Sequence, residues 1–162
     1  MVSRLLKHLV TPDWVARRPF GADELRRIGE AIGRSEKRHR AEIRFAIEAG
    51  LSPAHLRLTT RDRARQVFAE LGVWDTEENS GVLIYVQLMD RRIEIIADRG
   101  IAGRVEQKEW DAVCRAMERS FKERHYEGGA LAAIEAVTAI LARHFPATDV
   151  NPNELPDKPA VL

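Results

Sequence analysis

Five oxygen-bearing side chains crowd a short part of this chain: Asp75, Glu77, Glu78 and Asn79 run up to Gly81, and Asp98 follows seventeen residues later. Carboxylates and amides are the ligands that hard cations such as Ca2+ and Mg2+ select. Asp75-x-Glu77-x-Asn79 has the alternation that opens an EF-hand loop, but Gly81 arrives one residue late and Val86 stands where the bidentate glutamate belongs. The stretch is therefore not an EF-hand. Two readings of it stand: a divalent-cation site completed by Asp98, or a solvated polar loop capping the edge of a sheet.

Other chemistry is excluded by inspection. The chain has no GxGxxG, Walker loop, GxSxG or HExxH. His8, His39, His55, His125 and His144 are scattered, without the paired spacing of a zinc site. Cys114 lies on an apolar helical stripe with Trp110, Val113, Met117 and Phe121, which predicts a buried, inert thiol. It also has no arginine six residues on, so a cysteine-phosphatase loop is absent. In Arg34–Arg40 the basic residues alternate with Glu36 and no aromatic platform accompanies them, so a solvated helix face is expected and no nucleic-acid partner.

The elements that would position the acidic residues can be read from periodicity. Ile43, Phe45, Ile47 and Ala49 alternate with Glu42, Arg44, Ala46 and Glu48, the period-two mark of a strand. Val82–Leu88 is apolar throughout, as a strand covered on both faces should be. Met89-Asp90-Arg91 then turns the chain into a second strand, Arg92–Asp98. Between the first two strands, Thr59 and Thr60 open a helix that Gly72 closes, so those strands run parallel if they share a sheet. On that register His39 and Glu42 join the acidic loop and Asp98 at one edge. Asp23 is expected to cap an earlier helix carrying Leu25, Ile28 and Ile32, with Gly29 and Gly33 lying close against the sheet. Two further helices, from about Glu106 to Arg124 and from Gly128-Gly129 to about His144, complete an α/β pattern.

The 162 residues suit one domain, and 44% hydrophobic with 31% charged residues is ordinary for a soluble globular chain. The net charge of +1 hides an asymmetry: residues 1–70 carry 15 Lys/Arg against 9 Asp/Glu, and the rest 11 against 16. A single cysteine rules out an internal disulfide, and neither a secretory signal nor a spanning apolar run is evident, so a cytoplasmic, membrane-associated location is expected. Residues 1–20 form an arm in which Val2, Leu5, Leu6, Leu9 and Val10 share a helical face, with Arg4, Lys7 and His8 opposite. Residues 1–18 are thus a peripheral membrane or protein contact, or a helix folded back on its own domain. Residues 147–162, rich in proline and without periodicity, read as a disordered or extended tail.

The run Glu78-Asn79-Ser80-Gly81-Val82-Leu83-Ile84-Tyr85 resembles the signature of the TPM domain, as do Asp90-Arg91-Arg92 with Ile93–Gly100. Supporting matches are Glu36–Phe45, Trp74–Glu77, and Gly128-Gly129 through Pro146, so the resemblance covers about residues 21–146. It implies a three-layer α/β/α sandwich around a small mixed sheet with a β-hairpin. It also implies a divalent-cation site, with Asn79, Gly81, Asp98 and Gly100 at matching positions and Asp75 and Glu78 in the acidic loop. The family includes photosystem II repair proteins of the thylakoid lumen, and acid-phosphatase activity is claimed for some plant members. Two functions follow as expectations. One is a Ca2+- or Mg2+-binding accessory module that assists membrane or envelope proteins. The other is a metal-dependent phosphomonoesterase, with Asp98, Asp75 and Glu78 on the cation and His39 or Arg99 on the phosphate.

Overall fold

The computed structural model describes residues 2–12, 14 and 17–162. In chain order the elements are α1 (Val2–Val10), α2 (Ala22–Ser35), β1 (Glu42–Glu48), α3 (Thr60–Glu70), β2 (Gly81–Gln87), β3 (Arg92–Ala97), α4 (Arg99–Ala102), α5 (Gln107–Lys122), α6 (Tyr126–His144) and β4 (Ala160–Val161). The strands form one mixed sheet in the order β3-β2-β1-β4. β1 runs parallel to β2 and to β4, and β2 pairs antiparallel with β3.

Alternation along each strand sorts the side chains onto two faces. Ile43, Phe45, Ile47, Val82, Ile84, Val86, Ile93 and Ile95 enter a core closed by α2, α5 and α6, including Ile28, Trp110, Phe121 and Ile134. Ala46, Leu83 and Tyr85 face the other way, onto Ala64, Val67 and Val73 from α3 and the loop after it, and onto Leu155. The result is the expected three-layer α/β/α sandwich. β2 is buried along its whole length, which is why its sequence lacks a polar register. Thr59 caps α3, accepting from Asp62 N–H, and Gly72 stands beyond its end at φ +63.

Two features differ from expectation, and a third decides between two readings left open. At the start of α2 the N-cap is Gly21, without a side-chain cap, and Asp23 sits in the first turn, where a carboxylate still favours the helix dipole. Gly29 and Gly33 do approach another part of the chain, but it is residues 157–159 and not the sheet: a Cβ on Gly29 would lie 3.4 Å from Asp157 O, and one on Gly33 2.7 Å from Asp157 Oδ2. The segment read as a disordered or extended tail is extended, a strap laid along α2 and β1. Glu42 Oε2 accepts from the N–H groups of Glu154 (3.1 Å) and Leu155 (3.0 Å), and Ala160 and Val161 pair with Ala46 and Ile47. Prolines prevent a helix there, but they suit a strap whose main chain is held from one side.

Helix α1 folds back on the domain, but with its polar face inward. His8 is buried, its Nε2 3.0 Å from Asp90 Oδ1 and its Nδ1 accepting from Leu51 N–H at 2.9 Å. Arg4 Nε donates to Asp90 Oδ2 (2.9 Å) and Lys7 Nζ to Met89 O. Leu6, Leu9 and Val10 are left 60%, 59% and 68% exposed, and Trp14 is 69% exposed. The side chains of Val2 and Leu5, the rest of that apolar stripe, lie outside the described residues.

Candidate functional site

The edge formed by the starts of β1 and β2 and the end of β3 is built by close main-chain approach. The loop before β2 is pinned by Asn79 N–H to Thr76 O (3.2 Å) and by Ser80 N–H to Thr76 Oγ1 (2.8 Å). Gly81 passes so close to Val73 that a Cβ would collide with its carbonyl oxygen. Asp98 ends β3 and caps α4, its Oδ1 accepting from Arg99 N–H at 2.7 Å. The next residue, Gly100, donates its N–H to Asn79 O at 3.0 Å, and a Cβ there would lie 2.5 Å from the carbonyl oxygens of both Glu78 and Asn79. Asn79 itself takes φ +52, a region asparagine tolerates better than most residues.

The expected residues divide into two groups. Glu78, Asn79, Gly81, Asp98, Arg99 and Gly100 come together at this edge. Asp75 and Glu77 are exposed, and Glu77 is tied by its own N–H to Glu154 Oε2 at 2.8 Å. His39 and Glu42 do not join. His39 is fully buried, with Nε2 2.9 Å from Ser35 Oγ, and burial pushes its imidazole down to about 4. Glu42 turns its carboxylate to the strap. β1 and β2 run parallel from one edge as expected, with Glu42 pairing with Gly81, but the strap claims the Glu42 side chain.

Whether the edge fits a cation turns on which oxygens are free. Asp98 Oδ2 and Ser80 Oγ are buried and have no hydrogen-bond partner, the mark of a place that takes an added polar group. The other oxygens are engaged: Glu78 accepts from Arg40 Nη1 at 2.8 and 2.9 Å, and Asn79 Oδ1 from Arg99 Nε at 3.1 Å. Among the described residues no group of three or more His, Cys, Asp or Glu side chains is arranged to hold a metal ion. Of the side-chain oxygens of Glu78, Asn79, Ser80 and Asp98, Asp98 Oδ2 and Ser80 Oγ are without a partner among the described residues.

A second polar region lies between α2, β1 and the strap, and the sequence reading missed it. A groove of ≈ 630 Å3 is lined by Glu36, Glu42, Asp157, Asn151, Asn153 and Lys37, among others. Glu36 Oε1 accepts from Ile43 N–H at 2.8 Å, while burial, helped by the nearby Glu42 and Asp157 carboxylates, pushes its carboxyl up to about 9. Burial also raises Glu42. The usable signal was Gly29 and Gly33, four residues apart on the α2 face that receives the strap. Nearby polar features are structural: Glu48, buried, accepts from Arg63 Nη2 (2.9 Å) and from the Tyr85 hydroxyl (2.5 Å). Cys114 is buried and its thiol is pushed up to about 12 by that burial, consistent with an inert group.

Comparison with known proteins agrees with the fold. No curated protein matches the chain. Among solved structures it is similar to the NMR structure of the BA42 protein from the psychrophilic bacterium Bizionia argentinensis sp. nov.. The two share 32% identity with a TM-score of 0.78, over 88% of this chain and 94% of that one. The profile of the TPM domain matches residues 19–140, which hold the whole edge from Glu78 to Gly100, and the chain therefore belongs to the TPM domain family.

Proposed function

We propose that this TPM-domain chain is an accessory module that works at an anionic membrane surface beside membrane or envelope proteins, with α1 as its contact. The observation that carries this reading is the orientation of α1. Its polar face is spent on Asp90 and the β2–β3 turn, while Leu6, Leu9, Val10 and Trp14 face solvent. An exposed tryptophan and leucines followed by exposed Arg17 and Arg18 suit the interface of an anionic bilayer. Nine helical residues give weak, reversible binding, as befits a peripheral module. No helix among the described residues is long and apolar enough to cross a membrane.

Cosedimentation with vesicles tests the reading. Binding is expected with phosphatidylglycerol-containing vesicles, much less with phosphatidylcholine alone, and is lost in the double variant Leu9→Ser, Trp14→Ser. Equal sedimentation of variant and parent, or none of either, would sink the proposal.

A divalent cation at the sheet edge is the second part of the proposal. Asp98 Oδ2, Ser80 Oγ and Asn79 Oδ1 would hold it, with Arg99 released from Asn79, and its charge would stiffen the junction of the loop, β3 and α4. Titration with Ca2+ and Mg2+ under backbone NMR is expected to shift residues 78–81 and 98–100; an unchanged spectrum removes this part. The phosphomonoesterase alternative rests on the family resemblance. His39, one of its two candidates for handling the phosphate, is wholly buried behind Ser35. Cleavage of a chromogenic phosphate ester with Mg2+, Ca2+ or Mn2+, abolished by Asp98→Asn, would restore it.

A further inference from the structure

The groove that receives residues 151–162 grips main chain more than side chain. Glu42 takes two successive amide N–H groups, those of Glu154 and Leu155. Arg44 Nη1 donates to Pro156 O at 2.8 Å and to Lys158 O. Ala160 and Val161 pair with Ala46 and Ile47, and Leu162 N–H donates to Ile47 O at 2.9 Å. Leu155 inserts beside Ala46, Ala64 and Val67, and Pro159 lies against Gly29. This is how a sheet edge recognises an added strand: the backbone gives affinity, and a few pockets give choice.

The connection to α6 is of a different kind. Residues 147–150 are exposed, and among the described residues their side chains make a single, local hydrogen bond, Thr148 Oγ1 to Val150 O at 2.9 Å. Both ends of this connection lie at His39: Pro146 bridges to it, and Asn151 Nδ2 donates to its carbonyl at 3.0 Å. Residues 147–150 therefore only turn the chain back on itself. Every contact that seats the strap belongs to residues 151–162, so the groove would seat the same segment arriving from another copy equally well.

We propose that the strap exchanges between copies of this chain, residues 151–162 of each occupying the β1–α2 groove of the other in a reciprocal dimer. Such an exchange is isologous and closes on itself as a dimer. With the native connection each strap competes with the other copy's at an effective concentration on the order of millimolar, so the exchanged form is the minor one in dilute solution.

A connection that cannot turn reverses this balance. Replacing Ala147-Thr148-Asp149-Val150 with four prolines imposes a polyproline rise of about 3.1 Å per residue, about 12 Å in all, which holds Pro146 and Asn151 apart. Sedimentation velocity and amide hydrogen exchange on the full chain then decide. The proline variant is expected to be a dimer at micromolar concentration, with Leu155 and Leu162 amides protected as in the parent. Adding Leu155→Ala to it, which empties the pocket in both halves, is expected to weaken the dimer by more than about tenfold. A proline variant that stays monomeric, or a dimer indifferent to Leu155→Ala, overturns the proposal.

Discussion

Two buried titratable residues, three apart in sequence, give this protein opposite responses to pH. Glu36 has its carboxyl raised to about 9 by burial, so between its unfolded value of 4.5 and 9 the folded chain holds a proton that the unfolded chain has lost. Stability from that proton is complete below 4.5 and declines as pH rises. His39 is lowered from 6.5 to about 4 by burial, so the unfolded chain binds the extra proton between 4 and 6.5 and stability there rises with pH. In the window the two share they largely cancel; above 6.5 only the Glu36 decline remains of the two. The slope for one proton is at most about 1.4 kcal/mol per pH unit. Urea unfolding of the parent should thus show stability level near pH 5–6 and falling from 6.5 to 9. Glu36→Gln, which can still accept from Ile43 N–H, should flatten the fall and leave the rise below 6.5. If the variant keeps the parent's alkaline decline, the proton resides elsewhere.

Among the elements, those with a strong local period were legible in the sequence, and those defined by a distant partner were not. The alternation of Ile43, Phe45 and Ile47 and the wholly apolar run at Val82–Leu88 gave β1 and β2, because burial on a sheet imposes its period directly on the residues. At the candidate site, Asn79, Gly81 and Gly100 were marked by the family resemblance, and the close main-chain approach at Gly81 and Gly100 is the physical reason such positions restrict the residue type. That Arg40 and Arg99 would occupy Glu78 and Asn79 depends on rotamers that no spacing encodes. In α1 the amphipathic pattern was legible but its direction was not: periodicity shows that one face is apolar, and the docked face is chosen by Asp90, eighty-two residues from His8. Hydrogen bonds from His8 and Arg4 hold the Asp90 carboxyl below its ordinary value although burial works the other way. Asp90→Asn should therefore loosen α1 as a unit. Because Leu51 N–H is bonded to His8 Nδ1, its exchange is the reporter: loss of charge-assisted bonds worth about 1.5–3 kcal/mol should speed it by about tenfold or more. Unchanged exchange at Leu51 would show that α1 is held by other contacts.

At the scale of the whole molecule, the strap links features that look separate along the chain. It covers the outer edge of β1, fills the α3-side core with Leu155, ties the acidic loop through Glu154, and overlies Glu36 through Asn151 and Asp157. A chain ending at Pro146 would lose the Leu155 packing and the Glu42 and Arg44 contacts, about 3 kcal/mol or more by analogy with emptied core positions. It would also return Glu36 and Glu42 to water, so the pH dependence traced to those carboxyls should shrink with the strap. The two effects differ in how they vary with pH. Lost packing lowers stability equally at all pH values. Lost desolvation removes a contribution that the intact chain holds in full below pH 4.5 and has largely given up by pH 9. The stability gap between intact and shortened chains should accordingly be widest at pH 4.5 and below and narrow steadily from there toward pH 9, which unfolding curves on the two proteins at matched pH measure directly. A gap that stays constant would mean that α2 and β1 alone desolvate Glu36, and that the strap holds the edge without setting its proton.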